Sequence, residues 1–220
     1  MNTYRLAIFD LDGTLLDSLD DLANSANQML EEEGFPTHEV NLFRHFVGDG
    51  ARTLVERILP EEARRPDVID RCLLRYGAIY GRRWDEQSRA YDDIPELLEA
   101  LAARGIGLAV LSNKPQAATS RCVARFFGDR EWIQVIGQRD GRPKKPDPAG
   151  IFDILAATGV RQEETVYLGD TDTDMKAAVA AGVFPVGVLW GFRGREELET
   201  HGARALLRGP LDLLKLLDPS

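Results

Sequence analysis

Short apolar runs that end on polar residues, alternating with helical patterns, set the architecture open to this chain. Leu6-Ala7-Ile8-Phe9 leads into Asp10-Leu11-Asp12-Gly13, Leu108-Ala109-Val110-Leu111 into Ser112-Asn113, and Thr165-Val166-Tyr167-Leu168 into Gly169-Asp170. Each has the length and composition of a buried strand followed by a turn. Val186 to Leu189 is a fourth such run, Trp132 to Ile136 a weaker fifth, and Ala205 to Leu207 a short sixth. Helical spacing fills the intervals: Pro95 to Arg104 closed by Gly105, Pro148 to Ala157 closed by Gly159, and Met175 to Ala181 closed by Gly182. This alternation predicts an α/β fold, a parallel sheet with helices on both faces. Ligands of such sheets bind beyond the carboxyl ends of the strands, so Asp10/Asp12, Ser112/Asn113 and Asp170 are expected to converge.

Residues 17 to 88 break the alternation. Leu19 to Leu30, Ala51 to Leu59 and Ile69 to Trp84 read as helices, and no strand stands out among them. A single crossover helix would need far fewer residues. The expectation is a Rossmann-like core, 1–16 and 89–220, with an all-helical cap, 17–88, inserted between its first and second strands.

The chain has 220 residues, 44% hydrophobic and 29% charged, as in ordinary globular proteins. Its formal net charge of -9 repels a phosphate backbone, so nucleic acid is not an expected partner. A few donors and a metal can still reverse the field within one cleft and admit a small phosphorylated metabolite. Cys72 and Cys122 make no disulfide framework and no metal-ligand pair. The apolar stretches are too short for a signal peptide or membrane span, so the expected location is the cytoplasm, as monomer or homodimer, without membrane association.

Asp10 and Asp12 are two residues apart, so on extended backbone they project to the same side. Their repulsion favours a bound cation or a raised pKa on one of them. One could then attack while the other donates and accepts protons; an Asx turn ending a strand explains the pair as well. Asp170, Asp172 and Asp174 alternate like the start of a calcium loop, but Met175 and Ala181 stand where its glycine and glutamate belong. Asp172 or Thr173 is expected to cap the following helix, which accounts for one carboxylate and not three. Mg²⁺ takes one or two protein carboxylates, which Asp10 and Asp170 could supply from separate strand ends. Ser112-Asn113 offers a hydroxyl and backbone N–H donors, or an ordinary turn. Lys145, between Pro143 and Pro146, is held over an anion or sits in a solvated basic loop. His38, His45 and His201 are scattered and suggest no triad.

In order, these elements resemble the haloacid dehalogenase superfamily. Asp10 to Thr14 look like its first motif, Ser112-Asn113 its second, Lys145 in Lys-Pro-Asp-Pro its third, and Gly169-Asp170 through Asp174 its fourth. Within it the chain most resembles the phosphoglycolate phosphatase group, through Leu15-Leu16-Asp17-Ser18, Val47 to Ala51, Ser112-Asn113-Lys114-Pro115 and Trp190-Gly191-Phe192. The resemblance implies a phosphatase in which Asp10 attacks phosphorus and Asp12 protonates the leaving oxygen, then deprotonates the hydrolytic water. It implies that Ser112 and the Asn113 N–H hold phosphoryl oxygens, with Lys145 offsetting their charge. Mg²⁺ would sit on Asp10, the Asp12 carbonyl and Asp170, with Asp174 beside it.

The acid at Asp12 argues against a dehalogenase, whose leaving halide needs no proton. A phosphosugar mutase resembling β-phosphoglucomutase carries a histidine early in the cap, where this chain has Leu22. Pyrophosphatase and nucleotidase activities fit the same core, because the cap selects the leaving group. A silent binding protein on this scaffold is the alternative from another class.

Overall fold

A computed structural model of the chain describes residues 4–217, which fall into two compact units, residues 4–16 with 90–217 and residues 17–89. The strands in chain order are β1 (Leu6–Phe9), β2 (Leu16–Asp17), β3 (Arg89–Ala90), β4 (Gly107–Pro115), β5 (Gln134–Gln138), β6 (Thr165–Gly169), β7 (Phe184–Val188) and β8 (Ala205–Leu207). Six of them form one parallel sheet in the order β5-β4-β1-β6-β7-β8, and the two-residue β2 and β3 pair separately. The sheet carries helices around it, as the alternating pattern predicts.

β1 lies at the centre, and its four residues are fully buried. Period-two alternation puts Leu6 and Ile8 on one face, in a cluster with Ala109, Leu111 and Tyr167. Helices Ala149–Thr158 and Asp172–Ala181 cover that face through Ile151, Ile154, Leu155, Ala177, Ala178 and Ala181. Both helices stop where the sequence indicates, at Gly159 and Gly182, which take the left-handed φ that a Cβ resists. Helix Ile94–Ala103 packs against β4 and buries Ile94, Leu97, Leu98 and Leu101.

Register brings the strand ends level. Phe9 lies beside Val110 of β4 and Leu168 of β6, so Asp10, Leu111 and Gly169 lie at one height across the three strands. Three strands depart from their apolar runs, and β5 runs Gln134–Gln138 rather than Trp132 to Ile136, following its pairing with β4. β4 continues through Ser112, Asn113 and Lys114 to Pro115, because its neighbour β5 extends the ladder beyond the apolar residues. β7 starts at Phe184 and ends before Leu189, since pairing with β6 begins at Phe184.

The second unit contains helices Leu19–Glu32, Phe43–Phe46, Ala51–Ile58 and Pro66–Arg83, with single 3₁₀ turns at Val40–Leu42 and Glu61–Ala63. The first and last long helices pack together, burying Leu22, Ala26, Met29 and Leu30 on one and Ile69, Cys72, Tyr76 and Ile79 on the other. Glu33 ties them at the edge, accepting from Arg71 and Arg75 at 2.7 Å each. No described helix is long and apolar enough to cross a membrane.

Candidate active site

Asp10, Asp170 and Asp174 come together with Lys145 beyond the end of β1, and Asn113 is bonded to the lysine loop. Asp10 follows β1, its N–H donating to the Leu168 carbonyl at 2.9 Å, so backbone pairing fixes the start of the acidic turn. Gly13 then adopts φ 87°, and a Cβ there would collide with the Asp170 carboxylate. Only glycine lets this turn pass so close to another strand end.

Asp10, Asp170 and Asp174 are all buried and offer oxygens within 4.8 Å of one another. Lys145 supplies the counter-charge: its Nζ is 2.7 Å from Asp10 Oδ1 and 2.7 Å from Asp174 Oδ1. Burial pushes the Asp10 carboxyl up against the pull of Lys145, and with Asp174 and Asp12 adding repulsion it reaches about 7. Burial likewise drives Asp170 well above the carboxylate range, reinforced by Asp174 and Asp10. Burial pulls the Lys145 ammonium down, but Asp10 and Asp174 outweigh it and hold the group well above the ordinary lysine value. Three carboxylates against one ammonium, sequestered from water, make an all-oxygen donor set suited to a hard divalent cation.

Each charged group has an individual mount. Asp170 accepts from the Thr14 hydroxyl at 3.1 Å and the Phe192 N–H at 2.8 Å, while Trp190 Nε1 donates to the Thr14 carbonyl at 3.0 Å. Asp174 receives Lys145 Nζ and the Tyr167 hydroxyl, 3.0 Å away, on Oδ1. Its Oδ2 receives the Thr171 N–H at 3.0 Å and the Thr171 hydroxyl at 2.6 Å. The cap of helix Asp172–Ala181 is therefore Thr171, in a capping box with Asp174, and not the expected Asp172 or Thr173. Thr171 keeps extended backbone at the strand end, whereas Asp172 and Thr173 are already inside the first turn.

Asn113 faces the lysine loop. Its side chain exchanges two hydrogen bonds with the Lys145 backbone, and Ser112 Oγ accepts the Lys114 N–H at 3.2 Å. Asp12 is brought to Lys114, whose Nζ lies 2.8 Å from both carboxylate oxygens. Thr14, Lys114, Tyr167, Thr171 and Phe192 are contributors for which the sequence reading has no role. Lys114 had a signal, since on an extended strand it points to the same side as Ser112.

A sequence model described as haloacid dehalogenase-like hydrolase matches residues 7–188. The chain belongs to the haloacid dehalogenase-like hydrolase family. Among curated members, it is 32% identical to a phosphoglycolate phosphatase of Pseudomonas putida over 94% of this chain and 80% of the relative. It is 31% identical to a phosphoglycolate phosphatase of Aquifex aeolicus, covering 97% of each. A crystal structure from Haemophilus somnus, described as a predicted phosphoglycolate phosphatase, superposes with a TM-score of 0.91 at 30% identity over 99% of this chain and all of that one. Family membership makes this chain a hydrolase, with the buried acidic strand ends as its candidate centre.

Proposed function

We propose that this phosphatase hydrolyses a small phosphate monoester, 2-phosphoglycolate the leading candidate, by attack of Asp10 on phosphorus. The observation that carries the reading is the buried constellation of Asp10 held by Lys145, with Asp12 two residues on and Asp170 on the neighbouring strand end. The relatives' names supply the substrate.

In this reading an Asp10 oxygen displaces the ester oxygen and the phosphoryl group moves to Asp10. Asp12 gives its proton to the departing alcohol, then takes one from the water that releases phosphate. Ser112 and the Asn113 N–H hold phosphoryl oxygens, and Lys145 sets a positive charge against them. A carboxylate nearing a phosphate at about 4 Å meets roughly 4 kcal/mol of repulsion per charge pair at an effective dielectric near 20. Mg²⁺ on Asp10, the Asp12 carbonyl and Asp170 would supply Lewis-acid charge neutralisation when bound. Asp174, with four hydrogen bonds on its two oxygens, is assigned to hold Lys145 in place beside that ion. Residues 17–88 form the cap that selects the leaving group, and the acidic chain works in the cytoplasm without nucleic acid.

The test is turnover of 2-phosphoglycolate, sugar phosphates, nucleotides and pyrophosphate with Mg²⁺, with EDTA, and by Asp10→Asn. Metal-independent turnover or an active Asp10→Asn would refute the mechanism. Comparable rates across the panel would refute the assignment to phosphoglycolate.

A further inference from the structure

We propose that Lys114 is a positioning residue that aims the Asp12 carboxylate at the leaving oxygen, an inference resting on the acid–base role of Asp12 proposed above. Lys114 Nζ is 2.8 Å from Asp12 Oδ1 and 2.8 Å from Oδ2, so the ammonium sits on the bisector of the carboxylate. The lysine side chain is 5% exposed and the aspartate 18%, so the pair is largely shielded from solvent, the aspartate less than the lysine.

The mount beneath this ammonium is rigid. Lys114 belongs to β4, its N–H donates to Ser112 Oγ at 3.2 Å, and its carbonyl accepts from the Thr119 hydroxyl at 3.0 Å. Gly137 of β5 closes over the same carbonyl, which a Cβ there would approach to 2.8 Å. A strand-anchored lysine therefore holds an aspartate that lies on a turn.

A terminal carboxyl group turns readily about its last bond, and each wrong orientation is lost to proton transfer. Contact with both oxygens at equal distance removes that freedom before substrate arrives, which is preorganisation of an acid–base group. In the step served, the Asp12 O–H proton passes to the ester oxygen as the P–O bond breaks. The bond's electron pair stays on that oxygen, and the carboxylate left behind faces Lys114. Lys145 has a separate task, since it contacts Asp10 and Asp174.

The experiment measures kcat/KM, which covers the steps through leaving-group departure, on phenyl phosphates that differ only in ring substituents. A strongly acidic phenol departs with little help, whereas a weakly acidic one needs the proton. We expect Asp12→Asn to lose about a hundredfold more on the poorest leaving group than on p-nitrophenyl phosphate. Lys114→Met should follow with about a tenfold difference, steepening the dependence on phenol acidity. The nitrophenyl rate in Lys114→Met also reports that the site is folded. An equal loss across the series, or no loss, while Asp12→Asn steepens would overturn the role of Lys114 alone. An unchanged slope in Asp12→Asn would overturn the acid–base reading, and this inference with it.

Discussion

Asn113 and Lys145 exchange a reciprocal pair of hydrogen bonds: the Lys145 N–H donates to Asn113 Oδ1 at 2.9 Å, and Asn113 Nδ2 donates to the Lys145 carbonyl at 3.0 Å. The second strand end thus grips the backbone of the loop whose side chain faces Asp10. The positions are 32 residues apart and both are buried, so the amide replaces water that the loop excludes.

Asn113→Ala leaves a buried N–H and C=O unpaired, which costs about 1–3 kcal/mol apiece. The expected outcome is a loss of about 2–6 kcal/mol of stability, seen as a lower denaturation midpoint, with turnover reduced by about tenfold or more as Lys145 drifts. Urea titration and steady-state kinetics read the two effects. An unchanged midpoint would show that the pair contributes nothing to the fold.

The buried carboxylates make metal-free stability fall as pH rises. The folded Asp10 carboxyl titrates at about 7 against an ordinary value of 3.8. Between these values the folded chain keeps a proton that the unfolded chain has released, so raising pH favours unfolding until Asp10 ionises in both states. In EDTA, the stability of wild type relative to Asp10→Asn should decline from about pH 4 to about pH 7 and then level off. Mg²⁺ binds the ionised form, so the stabilisation it gives should grow across the same window. A flat difference curve would contradict the burial argument.

Gly191 lies against Asp170 and the Gly13 carbonyl, and a Cβ there would stand 2.5 Å from that carbonyl oxygen. Gly191→Ala is expected to displace Asp170 from the Phe192 N–H and weaken Mg²⁺ binding by about tenfold or more. Calorimetric titration of the metal measures this without turnover. Trp190, hydrogen-bonded to the Thr14 carbonyl, provides a second readout in its fluorescence. Wild-type affinity in this variant would rule out the mount.

Asp21 staples the second unit. Its carboxylate accepts the Gln87 N–H at 3.0 Å, the Ser88 N–H at 2.8 Å and the Ser88 hydroxyl at 2.7 Å, while only 2% exposed. Asp21→Ala orphans these donors and should destabilise the chain by about 3 kcal/mol or more. Asp21→Asn, which keeps one acceptor oxygen, should recover part of that loss. Thermal melts of the two variants check the order.

Much of the core was legible because strands buried on both faces must be apolar throughout. Leu6–Phe9 and Thr165–Leu168 could therefore be read to within a residue of their observed ends. The apolar run stops short of the end of β4, because Ser112, Asn113 and Lys114 are polar and only pairing to β5 shows that they remain strand. The cap of helix Asp172–Ala181 is not legible in the sequence because several neighbouring residues can all cap, and only backbone conformation separates Thr171 from Asp172.

By itself, the sequence determined which chemical groups follow the apolar runs, since local patterning places Asp10, Ser112 and Asp170 where those runs stop. Tertiary structure alone decided the partner of each group. Lys114 reaches Asp12 across 102 residues, Thr14 reaches Asp170 across 156, and Lys145 reaches Asp174 across 29. Those pairings follow from strand order and register, which set level the ends of strands far apart in the chain. A charge has a fixed place in the sequence, but in a buried site its effect depends on which neighbours replace the water it has lost.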